Sequence, residues 1–287
     1  MPWLVFTNLY VALCGAVLTA ASFVLLGQPP QYGVIAGLVF CCTLVIYNLD
    51  RLVEPHPGDS DHERWVERHR GLLWGFTLLA AVGVAALSTQ LSRQALWSLP
   101  IAGAVAVGYC LPVVRYRGRW RRLKSLPGAK LVLIAAVWTY ATAGLPMLQA
   151  DTAPGLGAVM ILLARFCFIA AVALPFDLPD MQRDRSSGIL TIPNWLGVSA
   201  TRYVALLLVG LSAVFSLFTP WPHASALLIS CACVAGLIAM LRTDRGVMYF
   251  MVALDGMLLV QAGLLSFSAE SFSQAGILMA SFAYPLF

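Results

Sequence analysis

Apolar stretches long enough to cross a bilayer recur along almost the whole chain, and no other feature constrains the fold as strongly. A membrane-spanning helix needs about 20 largely apolar residues. Nine stretches qualify, at roughly 4–26, 33–49, 71–91, 95–114, 127–147, 155–175, 201–219, 223–241 and 247–267. Only 11% of the 287 residues are charged, less than half of the ~25% usual in soluble domains. The expectation is an all-α polytopic membrane protein with nine transmembrane helices, folded as one domain over residues 1–287. Residues 270–286 are too short and too polar at their start to count as a tenth span. Residues 1–26 lack the basic leader of a signal peptide, so they read as a retained first helix.

The placement of charge matters more than the net value of +5. Basic residues gather after the second stretch (Arg51, Arg64, Arg68, Arg70), the fourth (Arg115, Arg117, Arg119, Arg121, Arg122, Lys124, with Lys130 at its edge), the sixth (Arg183, Arg185, Arg202) and the eighth (Arg242, Arg245). Of the intervening loops, only one holds a basic residue, Arg93. The positive-inside rule puts the four basic loops in the cytoplasm, the amino terminus inside and the carboxyl terminus outside. The expected setting is a bacterial cell membrane. Juxtamembrane arginines of this kind set topology and meet anionic membrane lipids, so no nucleic-acid partner is expected. The seven cysteines lie in apolar stretches without metal-ligand spacing and behave as small buried hydrophobes.

The chemistry concentrates in the segment Asp177-Leu-Pro-Asp180-Met-Gln-Arg-Asp184-Arg-Ser-Ser-Gly188-Ile-Leu-Thr191-Ile-Pro193. Carboxylates at i, i+3 and i+7 fall within about 60° of one another on an α-helix, and they repel unless a cation sits among them. Hard oxygen donors favour Mg²⁺, which keeps several waters and shares the rest of its coordination with substrate phosphates. A second acidic pair, Asp50 and Glu54, ends the second stretch at i,i+4 spacing in Ile46-Tyr-Asn48-Leu-Asp50-Arg51-Leu-Val-Glu54. Both clusters fall on the cytoplasmic side.

With two acidic clusters on separate helix ends, the chain resembles the UbiA superfamily of intramembrane prenyltransferases. That superfamily carries Asp-x-x-Asp-x-x-x-Asp-x-x-x-Gly-x-x-Thr-x-Pro-x-x-x-Gly after its sixth helix, matched here at Asp177, Asp180, Asp184, Gly188, Thr191, Pro193 and Gly197. Its first motif, Asn-x-x-x-Asp-x-x-x-Asp, is met in part. Asp50-Arg51 stands at the middle Asp, Glu54 replaces the last, Ile46 replaces the Asn, and Asn48 lies two residues out of register. Tyr109 and the basic loop to Lys130, with Leu-Pro at 126–127, resemble the segment after the fourth helix. First-helix basic residues and a Lys between Gly188 and Thr191, frequent in the superfamily, are absent. Pro175 and Pro179 flank Asp177 and imply a bend at the site.

The resemblance implies helices around a central cavity open to the cytoplasm. It also implies Mg²⁺-dependent transfer of a prenyl group from a polyprenyl diphosphate to a lipophilic acceptor. Asp50, Asp177, Asp180 and Asp184 would be the catalytic residues and, with Glu54, the metal ligands. Asn48, Arg51, Tyr109, Lys124, Lys130 and Arg165 would bind substrate. Two other readings stay open: a terpene cyclase, in which the prenyl cation closes without an acceptor, and a non-catalytic isoprenoid or lipid binder or transporter. Arg165 and Asp255 are charges inside apolar stretches, costly there by roughly 2.5–3.5 kcal/mol or more, and a mutual pair is one reading of them. Trp138, Tyr140, Tyr249 and Phe250 offer aromatic faces to a cation or simple packing. His56, His62, His69 and His223 lack paired-ligand context.

Overall fold

In the computed structural model, residues 2–28, 32–53, 61–116, 118–126, 128–178, 181, 192–240 and 247–283 are described. Glu54, Asp180, Asp184, Gly188 and Thr191 lie outside them. Helices dominate, as lipid requires when every backbone group must be satisfied within its own segment. In chain order they are α1 (Pro2–Phe6), α2 (Leu9–Leu25), α3 (Tyr32–Val53), α4 (Asp61–Arg68), α5 (Arg70–Ser88), α6 (Arg93–Cys110), α7 (Ala129–Thr139), α8 (Leu145–Gln149), α9 (Leu156–Ala173), α10 (Ile192–Ser216), α11 (His223–Ala239) and α12 (Val247–Ala283). Among the described residues, six helical segments are long and apolar enough to cross a membrane, and α2 and α11 are shorter apolar helices. The stretch set aside as a tenth span is helical as far as Ala283, as a continuation of α12.

Side chains sort as a bilayer dictates. Large apolar residues point outward, among them Leu79 on α5, Ile101 on α6 and Leu207 on α10. The inward faces form a main core from α2, α9, α10, α11 and α12, in which Leu18, Phe168, Val209, Val234, Phe250, Leu254, Leu258 and Leu265 are buried. Phe250, Leu254 and Leu258 recur at i+4, one stripe of α12. A second cluster joins Phe23 of α2 to Ile35 and Leu38 of α3 and Leu145 of α8.

Three local departures from regular helix shape the interior. Between α7 and α8, residues Tyr140–Gly144 form a wide π turn just before Pro146. Proline has no N–H for the carbonyl four residues back, which is that of Thr142, and this oxygen instead accepts a hydrogen bond from Ser22 Oγ of α2. At the end of α9, Leu174–Asp177 tightens into a 3₁₀ turn with Pro175 near its start. Asp177 thus stands on a 3₁₀ turn rather than on a continuous α-helix, while Asp180 and Asp184 of the same motif lie outside the described residues.

The basic loop after α6 is also more ordered than an all-helical reading expects. Val114–Tyr116 (β1) pairs antiparallel with Arg119–Arg121 (β2), Val114 opposite Arg121 and Tyr116 opposite Arg119. Gly118, at φ 78°, supplies the left-handed residue that a tight hairpin needs. A 3₁₀ turn over Leu123–Ser125 follows and carries Lys124.

Candidate active site

One cavity of about 810 Å³ opens among these helices, within the ~300–1,000 Å³ range of small-molecule sites. Its wall has two characters. Charged and polar side chains at helix ends and on the basic loop form one part: Asp50 and Arg51 of α3, Glu63 of α4, Lys124, Lys130 and Asp177. The rest is largely apolar or aromatic, including Ile46, Trp138, Ile169, Val172 and Phe250.

One carboxylate from each acidic motif reaches this cavity, and each is paired with a lysine. Lys124 Nζ donates to both oxygens of Asp50, at 2.8 and 3.0 Å, and lies 5.5 Å from the centre of the Tyr109 ring. Lys130 Nζ donates to Asp177 Oδ1. Asp177 is held by the 3₁₀ turn and is 6% exposed, so its carboxylate would be costly there without this partner. Lys124 is presented by the turn that follows the hairpin. Gly108 of α6 makes room for that turn: a Cβ on it would stand 2.7 Å from Leu123 Cδ1.

Most of the candidate residues within the described chain come to this cavity: Asp50, Arg51, Tyr109, Lys124, Lys130 and Asp177 all line it. Two do not. Asn48 is fully buried, its Oδ1 accepting from Asn8 Nδ2 at 2.8 Å. At 100° per residue it points about 160° away from Asp50 on α3, so it backs the wall rather than forming it. Arg165 is 3% exposed and sits by a separate small cleft, with Nη2 donating to Ser22 Oγ at 3.1 Å. It thus braces the junction where Pro146 frees the Thr142 carbonyl, and it makes no pair with Asp255. Asp255 itself lines the large cavity.

Sequence reasoning passed over Tyr47, Glu63 and Asn8, all on the cavity wall. Tyr47 was findable, since it shares a helical face with Ile46 and Asp50. Trp138 Nε1 donates to the Tyr47 hydroxyl at 3.2 Å, with the two rings edge to face. His62 and His69 join an aromatic cluster with Trp3, Phe6 and Trp65 that packs α1 on α4.

The donor set suits a hard divalent cation in kind, since Asp50 and Asp177 offer carboxylate oxygens to one cavity. Among the described residues, no three of His, Cys, Asp or Glu stand close enough to hold a metal ion. Further ligands would have to come from Glu54, Asp180, Asp184, water or substrate oxygens.

No protein-family model matches the sequence, and no curated protein matches it. Solved structures do match the fold. A UbiA homologue from Archaeoglobus fulgidus bound to GPP and Mg²⁺ aligns with a TM-score of 0.59 and 12% identity over 93% of this chain and 100% of its own. A UbiA homologue from Aeropyrum pernix K1 in its apo form gives 0.63 and 15% over 93% and 98%. A digeranylgeranylglyceryl phosphate synthase structure gives 0.56 and 14% over 93% and 97%.

Proposed function

We propose that this protein, which shares the fold of UbiA homologues, transfers a prenyl group from a polyprenyl diphosphate to a lipophilic acceptor inside the membrane, with Mg²⁺. The observation that carries the reading is that Asp50 and Asp177, 127 positions apart, each take a lysine on the wall of a single cavity with a mostly apolar interior. A structural neighbour with GPP and Mg²⁺ bound lends the ligand chemistry. Asp50, Glu54, Asp177, Asp180 and Asp184 would hold magnesium. When bound, the metal supplies positive charge against the leaving diphosphate. Lys124 and Lys130 exchange their carboxylate partners for diphosphate oxygens, and Arg51 adds a third cation. Preorganised positive charge where negative charge develops is worth most in such a water-poor site. The C1–O bond breaks with its electron pair on the diphosphate, and the apolar wall keeps water from the allylic cation until the acceptor attacks it.

The accompanying topology has nine spans, the amino terminus and the cavity mouth in the cytoplasm, and the carboxyl terminus outside, supported by the alternation of basic loops. Single cysteines introduced into a chain stripped of its own should label from outside at 220–223 and not at 115–124. Transfer itself is tested by incubating the purified protein with geranyl diphosphate, Mg²⁺ and a panel of lipophilic acceptors. An adduct heavier by one prenyl group supports it, and release of a cyclised hydrocarbon without acceptor would favour cyclase chemistry.

A further inference from the structure

Away from the large cavity, the apolar bundle carries a buried polar seam. A small cleft of about 10 Å³ lies where α2, α9, α10, α11 and α12 meet, and Arg165, Ser212, Ser216 and Gln261 line it. Arg165 and Gln261 are 3% and 2% exposed. Each keeps one polar atom, Nη1 and Oε1, without a hydrogen-bond partner among the described residues. A buried donor and a buried acceptor left unpaired both oppose folding.

The surrounding hydrogen bonds fix what each free atom can do. Ser230 Oγ gives its hydrogen to Leu227 O at 2.7 Å, so toward Gln261 it can only accept. Gln261 therefore turns Nε2 to Ser230, at 3.1 Å, and leaves Oε1 as a bare acceptor. Arg165 Nη2 donates to Ser22 Oγ at 3.1 Å, which leaves Nη1 as a bare donor. The two serines on the cleft wall have also spent their hydrogens, Ser212 on Ala164 O and Ser216 on Ser212 O, both at 2.8 Å. Ser212 ties the two sides together: it bonds the neighbour of Arg165, and its Oγ takes the thiol of Cys231, next to Ser230, at 3.6 Å.

These valences select among small occupants. A cation is repelled by Arg165. An anion would face the Gln261 carbonyl and serine oxygens whose hydrogens point elsewhere. Water both accepts and donates, and one water needs about 10–15 Å³ and two to four polar partners. We infer that a single resident water occupies this cleft, accepting from Arg165 Nη1 and donating to Gln261 Oε1. Its second hydrogen is available to a serine oxygen of α10. The water closes a hydrogen-bond seam from the Thr142 carbonyl through Ser22, Arg165 and Gln261 to Ser230. It thereby links α2, α9, α11 and α12 by polar contacts, which hold helices together where lipid offers no hydrophobic drive. None of these residues lines the large cavity.

A map of the purified protein that resolves ordered water tests the site directly. One peak should stand about 2.7–3.2 Å from Arg165 Nη1 and about 2.5–3.0 Å from Gln261 Oε1. No peak there, direct contact between the two side chains, or an anomalous signal in crystals grown with bromide would overturn the inference. The energetic link is read from a double-mutant cycle on the unfolding midpoint. Gln261→Leu should lower the midpoint, and should lower it by less once Arg165→Met is present, because the water has then lost its donor. Equal losses in the two backgrounds would contradict the bridge. The wild-type midpoint should be the same in chloride and in gluconate at matched ionic strength, and a halide-dependent midpoint would make the cleft an anion site instead.

Discussion

Lys124 Nζ sits within 3.0 Å of both oxygens of Asp50, joining the basic loop after α6 to the end of α3. In this state the lysine occupies the place that a cation would take on the same carboxylate. Lys124→Met should therefore separate two affinities. Binding of geranyl diphosphate should weaken about tenfold, as removal of a hydrogen bond to a charged group costs ~1.5–3 kcal/mol. The Mg²⁺ concentration needed for half-saturation should not rise, because a competitor for Asp50 is gone. Calorimetric titration of each ligand reads the split, and unchanged diphosphate affinity would make the lysine a structural brace.

Gly108 offers a way to disturb the site without touching it. A Cβ there meets Leu123 Cδ1 at 2.7 Å and Val113 Cγ2 at 3.1 Å, and Leu123 is the neighbour of Lys124. Gly108→Val should shift the 3₁₀ turn and lower diphosphate affinity several-fold, with a stability loss of about 1–3 kcal/mol for overpacking. Leu123→Ala in the same chain should restore part of both. Without rescue by the second substitution, the steric explanation fails.

Arg165 makes the opposite prediction. It bonds Ser22 in a cleft apart from the large cavity, so Arg165→Met should leave diphosphate affinity within about twofold of the wild type. Arg165 is a buried charge whose Nη1 finds no hydrogen-bond partner among the described residues, which opposes folding, so the midpoint of thermal unfolding should not fall steeply. A large loss of diphosphate binding in this variant would return Arg165 to the site.

How far the sequence carried each of these residues follows from the physics behind the expectation. Apolar runs give helices because lipid leaves the backbone no other partner, so the all-helical class was legible; of the nine expected spans, six described helical segments are long and apolar enough to cross a membrane. Asp50, Lys124, Lys130 and Asp177 were legible as charges at membrane boundaries, but their pairing depends on how α3, α7 and α9 meet. Asn48 was assigned by its nearness to a motif, although helical periodicity turns it away from Asp50 and toward Asn8. Arg165 drew a functional reading from the cost of a buried charge. Its actual neighbour is set by Pro146, which frees a carbonyl one helix away for Ser22. The hairpin at 114–121 was hidden by its arginines, which read as a solvated loop, although Val-Arg-Tyr and Arg-Trp-Arg alternate around Gly118.

If Asp50 and Asp177 belong to one metal-dependent diphosphate site, binding of substrate must need both carboxylates and the metal. Thermal unfolding of the purified protein with geranyl diphosphate, with and without Mg²⁺, tests it most directly when run beside Asp50→Asn and Asp177→Asn. The wild type should be stabilised only when substrate and Mg²⁺ are both present, and each variant should lose that stabilisation. Stabilisation that is indifferent to Mg²⁺, or that survives in both variants, would contradict it.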